Sequence, residues 1–168
     1  KRMLELYPVA NVDLRVRQPL VWNQPILASG TGWDEVLDRV TELRLTDNAG
    51  FDVYYYGVFA PAPSLAAYCP ANCLLGLSNF AEDVGDAAYR SSVGTLYAAM
   101  DAIDTMPHEI GHAHGRDHAP CGGASSPDPK FPHPGGRSGA WGYSVVTHQL
   151  QPPTLYDQMS YCTPAWQS

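Results

Sequence analysis

The chain has 168 residues, a mass of 18.3 kDa and a formal charge of −7. That length fits one domain, residues 1–168, with a real core, and 45% hydrophobic residues exclude global disorder. The acidic balance excludes the basic stripe of a nucleic-acid binder, and no run approaches the ~18 apolar residues of a membrane span.

The sequence begins at Lys1, without Met or an apolar signal segment, which reads as a mature or excised piece of a longer precursor. Over residues 11–22, Val12, Leu14 and Val16 alternate with Asp13, Arg15 and Arg17, predicting a half-buried strand stopped by Pro19. Residues 29–32 are a loop, with Thr31 a candidate cap. Trp33, Val36, Leu37, Val40 and Leu43 then recur at helical spacing, predicting an amphipathic helix from Trp33 to about Leu45, closed by 48–50. Residues 51–59 are aromatic and β-branched and read as a central strand.

A Pro-rich loop is expected over 61–72, a short strand over 74–81 and a weaker one over 89–93. Residues 95–114 are Ala-rich and helical, interrupted by Pro107. Proline is tolerated in a first turn and not deeper, so the helix either begins near Asp104 or Thr105 or kinks there. Beyond Gly115 regular structure fades: 120–142 is a long irregular loop, and the remainder is coil with short extended pieces.

Residues 108–118 read His-Glu-Ile-Gly-His-Ala-His-Gly-Arg-Asp-His. His108 and His112 are four apart and share one helix face, where two imidazoles can hold one metal ion. Glu109 lies beside the first ligand, within reach of an activated water. Gly115 can take the positive φ that reverses the chain and returns His118 as a third ligand. Three nitrogen ligands with an open fourth position mark a catalytic zinc site. The bland reading, a solvated His-rich helix end, leaves this five-residue pattern to chance.

The pattern HExxHxxGxxH resembles the metzincin clan of zinc endopeptidases. The clan's second mark is a downstream Met-turn, and Tyr156-Asp-Gln-Met159-Ser-Tyr161 is similar to it. The resemblance implies that Met159 lies beneath the three imidazoles. A tyrosine two residues after that methionine resembles astacins and serralysins, and implies that Tyr161 contacts the metal and stabilises the transition state. Ala119 follows the third histidine, where astacins have Glu and serralysins usually Pro, so no family within the clan is assigned.

The fold implied is α+β: a twisted mixed sheet packed on two long helices, one of them the active-site helix. An upper lobe would span about 1–115 and an irregular lower lobe about 116–168. Residues 74–81 would be the antiparallel edge strand that pairs with extended substrate. The reading counts one strand fewer than the clan's usual five before the active-site helix, and the chain ends before the clan's C-terminal helix.

Four cysteines allow three pairings. If His118 and Met159 converge, Cys121 and Cys162, each three residues further on, come together; this favours Cys121–Cys162 with Cys69–Cys73. Free thiols or a second zinc are the alternatives, the latter without any CxxC spacing. Disulfides imply an oxidising compartment.

His114 lies about 200° around the helix from His112 and points away from the metal. Asp117 is a solvated turn carboxylate or an acceptor orienting an imidazole. His133 and His148 are expected in exposed coil. Trp141-Gly-Tyr143 either walls a substrate pocket or anchors the irregular lobe.

The sequence therefore predicts a secreted, monomeric zinc endopeptidase with one catalytic Zn2+. His108, His112 and His118 would be its ligands, Glu109 its general base, Tyr161 its oxyanion donor, and a protein or peptide in extended conformation its substrate. The rival reading is a zinc-bearing binding or adhesion module on a protease fold, whose sequence sign would be a lost Glu109 or a lost ligand. Zinc-dependent hydrolysis of a non-peptide bond is a further rival.

Overall fold

The computed structural model describes residues 1–83, 85–97 and 100–167. The elements run α1 (Arg2–Leu6), α2 (Trp33–Thr46), β1 (Tyr55–Phe59), α3 (Leu65–Tyr68), β2 (Gly76–Ser78) and β3 (Ser91–Thr95). After these come α4 (Met100–Ala113), β4 (Gly142–Ser144), β5 (Gln149–Gln151), β6 (Tyr156–Asp157) and β7 (Ala165–Trp166). Two compact units divide the chain, Arg17–Gly115 and Lys1–Val16 together with Arg116–Ser168. The first sixteen residues fall in one unit with the C-terminal segment.

The Arg17–Gly115 unit is α+β. Its mixed sheet has the order β1-β3-β2, with β1 parallel and β2 antiparallel to β3. The central strand is therefore β3, read from sequence as the weaker one, and the aromatic β1 lies at an edge, starting only at Tyr55. The reason is side-chain size. Ser91, Ser92, Val93, Gly94 and Thr95 are all buried, and small residues let helices close over both faces of one strand, whereas β1 keeps Val58 exposed.

Helix α2 covers one sheet face. Trp33, Val36, Leu37 and Val40 pack with Val93 and Tyr68, each large apolar group adding roughly 1.5–3 kcal/mol on burial. The next buried position is Arg44 and not Leu43: its guanidinium donates to the carbonyls of Gly50 and Val53 at 2.8 and 3.1 Å, tying the loop before β1 to the helix. The N-cap is Gly32, in the left-handed conformation, rather than Thr31.

Helix α4 covers the other face, because Gly76 of β2 abuts Thr105 and Glu109 while Gly57 of β1 abuts Val40 of α2. The resemblance implies a sheet packed on two long helices; the observed sheet has three strands and one helix on each face. Residues 98–99, which the sequence places in the active-site helix, lie outside the described residues. From Met100 the helix runs through Pro107 to Ala113. Pro107 is fully buried, so its missing N–H sits where packing, and not helix propensity, holds the backbone.

The predicted strand over 11–22 does not form. Val16 is 92% and Leu14 72% exposed, and no ladder reaches them. Alternation makes a strand only where a neighbouring strand takes up the backbone hydrogen bonds, and Pro19 removes one donor besides.

In the Lys1–Val16 and Arg116–Ser168 unit, regular structure is sparse, as the Gly and Pro content of 120–142 implies. It holds the β4–β5 hairpin and a short parallel pair, β6–β7. Arg2 of α1 donates to the Ala165 carbonyl at 3.1 Å, and Gln158 donates to the Tyr7 hydroxyl at 3.2 Å. These bonds tie the N-terminal helix to the end of the chain.

Candidate metal centre and active site

The i, i+4 spacing brings the His108 and His112 rings to a 4.9 Å edge-to-face approach on α4. At the helix end Gly115 takes φ +81°, its N–H bonding the His112 carbonyl at 2.8 Å. A Cβ there would clash with the Ala81 carbonyl oxygen, so this reversal requires glycine on two counts. His118 follows, and one ring nitrogen from each of His108, His112 and His118 lies within 4.8 Å of the others.

The donor set suits a zinc ion. Three imidazoles converge, and three ring nitrogens are a donor set that zinc takes. The His118 Nδ1–H donates to the Ser125 carbonyl at 2.6 Å, which fixes the tautomer and leaves the Nε2 lone pair for a metal. Among the described residues this is the one group of three or more His, Cys, Asp or Glu arranged for a metal.

Glu109 is nine-tenths buried between α4 and the sheet, with Gly76 of β2 against its carboxyl group. Burial pushes its pKa up to about 8. A cation nearby opposes that shift by favouring the carboxylate. The Glu109 carbonyl accepts from Ser92 Oγ at 3.2 Å, and Ser92 Oγ lies 2.8 Å from Ser78 Oγ, so hydroxyl groups of β3 and β2 seat the helix turn.

The segment after His118 runs beside 159–162. The Ala119 N–H bonds the Met159 carbonyl at 3.0 Å, the Tyr161 N–H bonds the Cys121 carbonyl at 3.1 Å, and Cys121 is disulfide-bonded to Cys162. Cys69 pairs with Cys73, and no described cysteine is free. Met159 is fully buried. The Tyr161 hydroxyl lies 3.3 Å from His118 Nε2, the nitrogen that the tautomer leaves for the metal.

The remaining sequence candidates lie elsewhere. His114 stacks on Tyr54 at 4.6 Å and bonds the Ile110 carbonyl through Nδ1. Asp117 and His148 are exposed, whereas His133 is half-buried against Gly139. Trp141 and Tyr143 are 67% and 53% exposed, so they do not anchor a core. Sequence reasoning missed Ser125, Arg116 and Asp157. Asp157 had a legible signal, since an Asp side chain in a turn bonds the backbone two residues on, and Met159 is that residue.

The peptidase M66 family profile matches residues 66–165, more than half of the chain and the whole of the histidine motif. The chain belongs to the peptidase M66 family. It is thus a metallopeptidase by family, and its His triad is where the metal fits. No curated protein and no solved structure matches the chain.

Proposed function

We propose that this chain is a secreted zinc endopeptidase of the metzincin type. The observation that carries the reading is the convergence of His108, His112 and His118 ring nitrogens within 4.8 Å, in a chain of a peptidase family. Zinc, when bound there, supplies the Lewis acidity that brings a water's pKa toward about 7 and polarises a carbonyl.

The protein's own residues do the rest. Glu109 accepts the proton of the attacking water and passes it to the leaving amine. Tyr161, hydroxyl forward beside His118 Nε2, donates to the oxyanion as the carbonyl becomes tetrahedral. Met159 is the Met-turn residue, fully buried, its carbonyl accepting the N–H of Ala119 next to His118. β2 is an edge strand, and an extended peptide added along it passes Gly76, against which the Glu109 carboxyl lies. The two disulfides support an oxidising, extracellular setting, and none of the described helices is long and apolar enough to cross a membrane.

The test is casein cleavage by the purified protein, with and without a chelator. Cleavage that the chelator abolishes and added zinc restores is expected. Zinc binding without cleavage of any protein substrate would favour the binding-module reading instead.

A further inference from the structure

Gly76 and Gly94 are register partners across the antiparallel β2–β3 pair, so both present the same sheet face, the one beneath α4. Side chains occupy the space that these glycines leave open. A Cβ on Gly76 would strike the Glu109 carboxyl, and a Cβ on Gly94 would strike the Tyr56 hydroxyl. Tyr56 comes from β1, opposite Ser92, and reaches across the central strand to this floor. Its hydroxyl is buried and bonds to no described group. Burial first, and the nearby Glu109 charge second, push the phenol's pKa up from its ordinary value, so it remains an O–H donor at any working pH.

A phenylalanine would fill the same space without a desolvated hydroxyl, which is unfavourable for folding when unpaired. The polar neighbour over the glycine floor is the carboxyl group of the base. The phenol and the carboxyl fill the space over the two glycines, so the Tyr56 hydroxyl and the Glu109 carboxyl are polar groups on one floor. We propose that Tyr56 is a positioning residue for Glu109, its hydroxyl serving as the donor to the Glu109 carboxylate over the Gly76–Gly94 floor. The bond fixes which carboxylate oxygen faces the reacting water and leaves the other anchored to the sheet. This inference rests on the proposed role of Glu109 as general base.

The experiment compares Tyr56→Phe with the wild type and with Glu109→Ala on a peptide substrate, with zinc content and melting temperature measured on all three. The expected result for Tyr56→Phe is a kcat lower by about tenfold, an unchanged KM, full zinc and a melting temperature equal to or above wild type. A purely structural tyrosine would instead lower the melting temperature and leave kcat alone. A kcat within twofold of wild type, while Glu109→Ala is inactive, would overturn the positioning role and leave the base intact. Full activity in Glu109→Ala, or an inactive wild type, would overturn the base assignment and this inference with it.

Discussion

Arg116 donates to Asp157 Oδ2 at 2.8 Å, and the other oxygen of that fully buried carboxylate accepts the Met159 N–H at 2.7 Å. One side chain thus joins the residue two before His118 to the turn that carries Met159 and Tyr161. The backbone hydrogen bonds of Ala119 and Cys121 and the Cys121–Cys162 bond close the same seam further along. His118 hangs from a segment held at both ends, which is what a ligand supplied by an irregular region needs in order to return to one place.

Asp157→Ala should therefore destabilise the fold and loosen the third ligand together. Losing the Arg116 pair and leaving the Met159 N–H unpaired costs about 2–3 kcal/mol, which lowers the melting temperature by roughly 4–12 °C in a chain of this size. Zinc affinity should fall as well, measured by competition with a chromophoric chelator. Unchanged melting and unchanged affinity would remove the pair from the account.

Glu109→Ala should keep zinc and lose turnover by on the order of 10²- to 10⁴-fold. The carboxyl lies against Gly76 of the edge strand and is no member of the His triad, so its loss acts on proton transfer. Metal analysis beside a peptidase assay checks both halves. A variant that loses its zinc would show that Glu109 holds the metal instead.

Tyr161→Phe should lower kcat by about 10²-fold with KM little changed, the loss expected for one oxyanion donor. Its hydroxyl lies at His118 Nε2, and the residue is 55% exposed. Less than a fivefold fall in kcat would leave the oxyanion to the metal.

The two disulfides should differ in weight. Cys121–Cys162 spans a separation of 41 residues and Cys69–Cys73 one of 4, so loop entropy assigns them about 4 and about 2 kcal/mol. Thermal unfolding of the paired Cys→Ser variants should rank them in that order; equal losses would contradict it.

The histidine cluster was more legible in the sequence than the sheet. His108, His112, Gly115 and His118 announce themselves because ligand chemistry and a glycine turn fix residue types at fixed offsets, and the structure gathers those three histidines. The helix over 33–46 was legible for the same kind of reason, a continuous apolar stripe. The sheet was not. The central strand, Ser-Ser-Val-Gly-Thr, carries small residues because helices close on both its faces, and composition scores such a strand as a loop. The exposed stretch at 11–22 shows the converse: alternation without a partner strand is only a pattern. Arg116, Ser125 and Asp157 act through one backbone carbonyl, one backbone N–H and one buried carboxylate, contacts that depend on where the chain returns.

The central claim is a single zinc held by His108, His112 and His118. Zinc content per chain, measured after dialysis for the wild type, His118→Ala and His114→Ala, tests it most directly. The account predicts one zinc in the wild type and in His114→Ala, whose ring stacks on Tyr54, and loss of bound zinc in His118→Ala. Full zinc in His118→Ala, or its loss in His114→Ala, would contradict it.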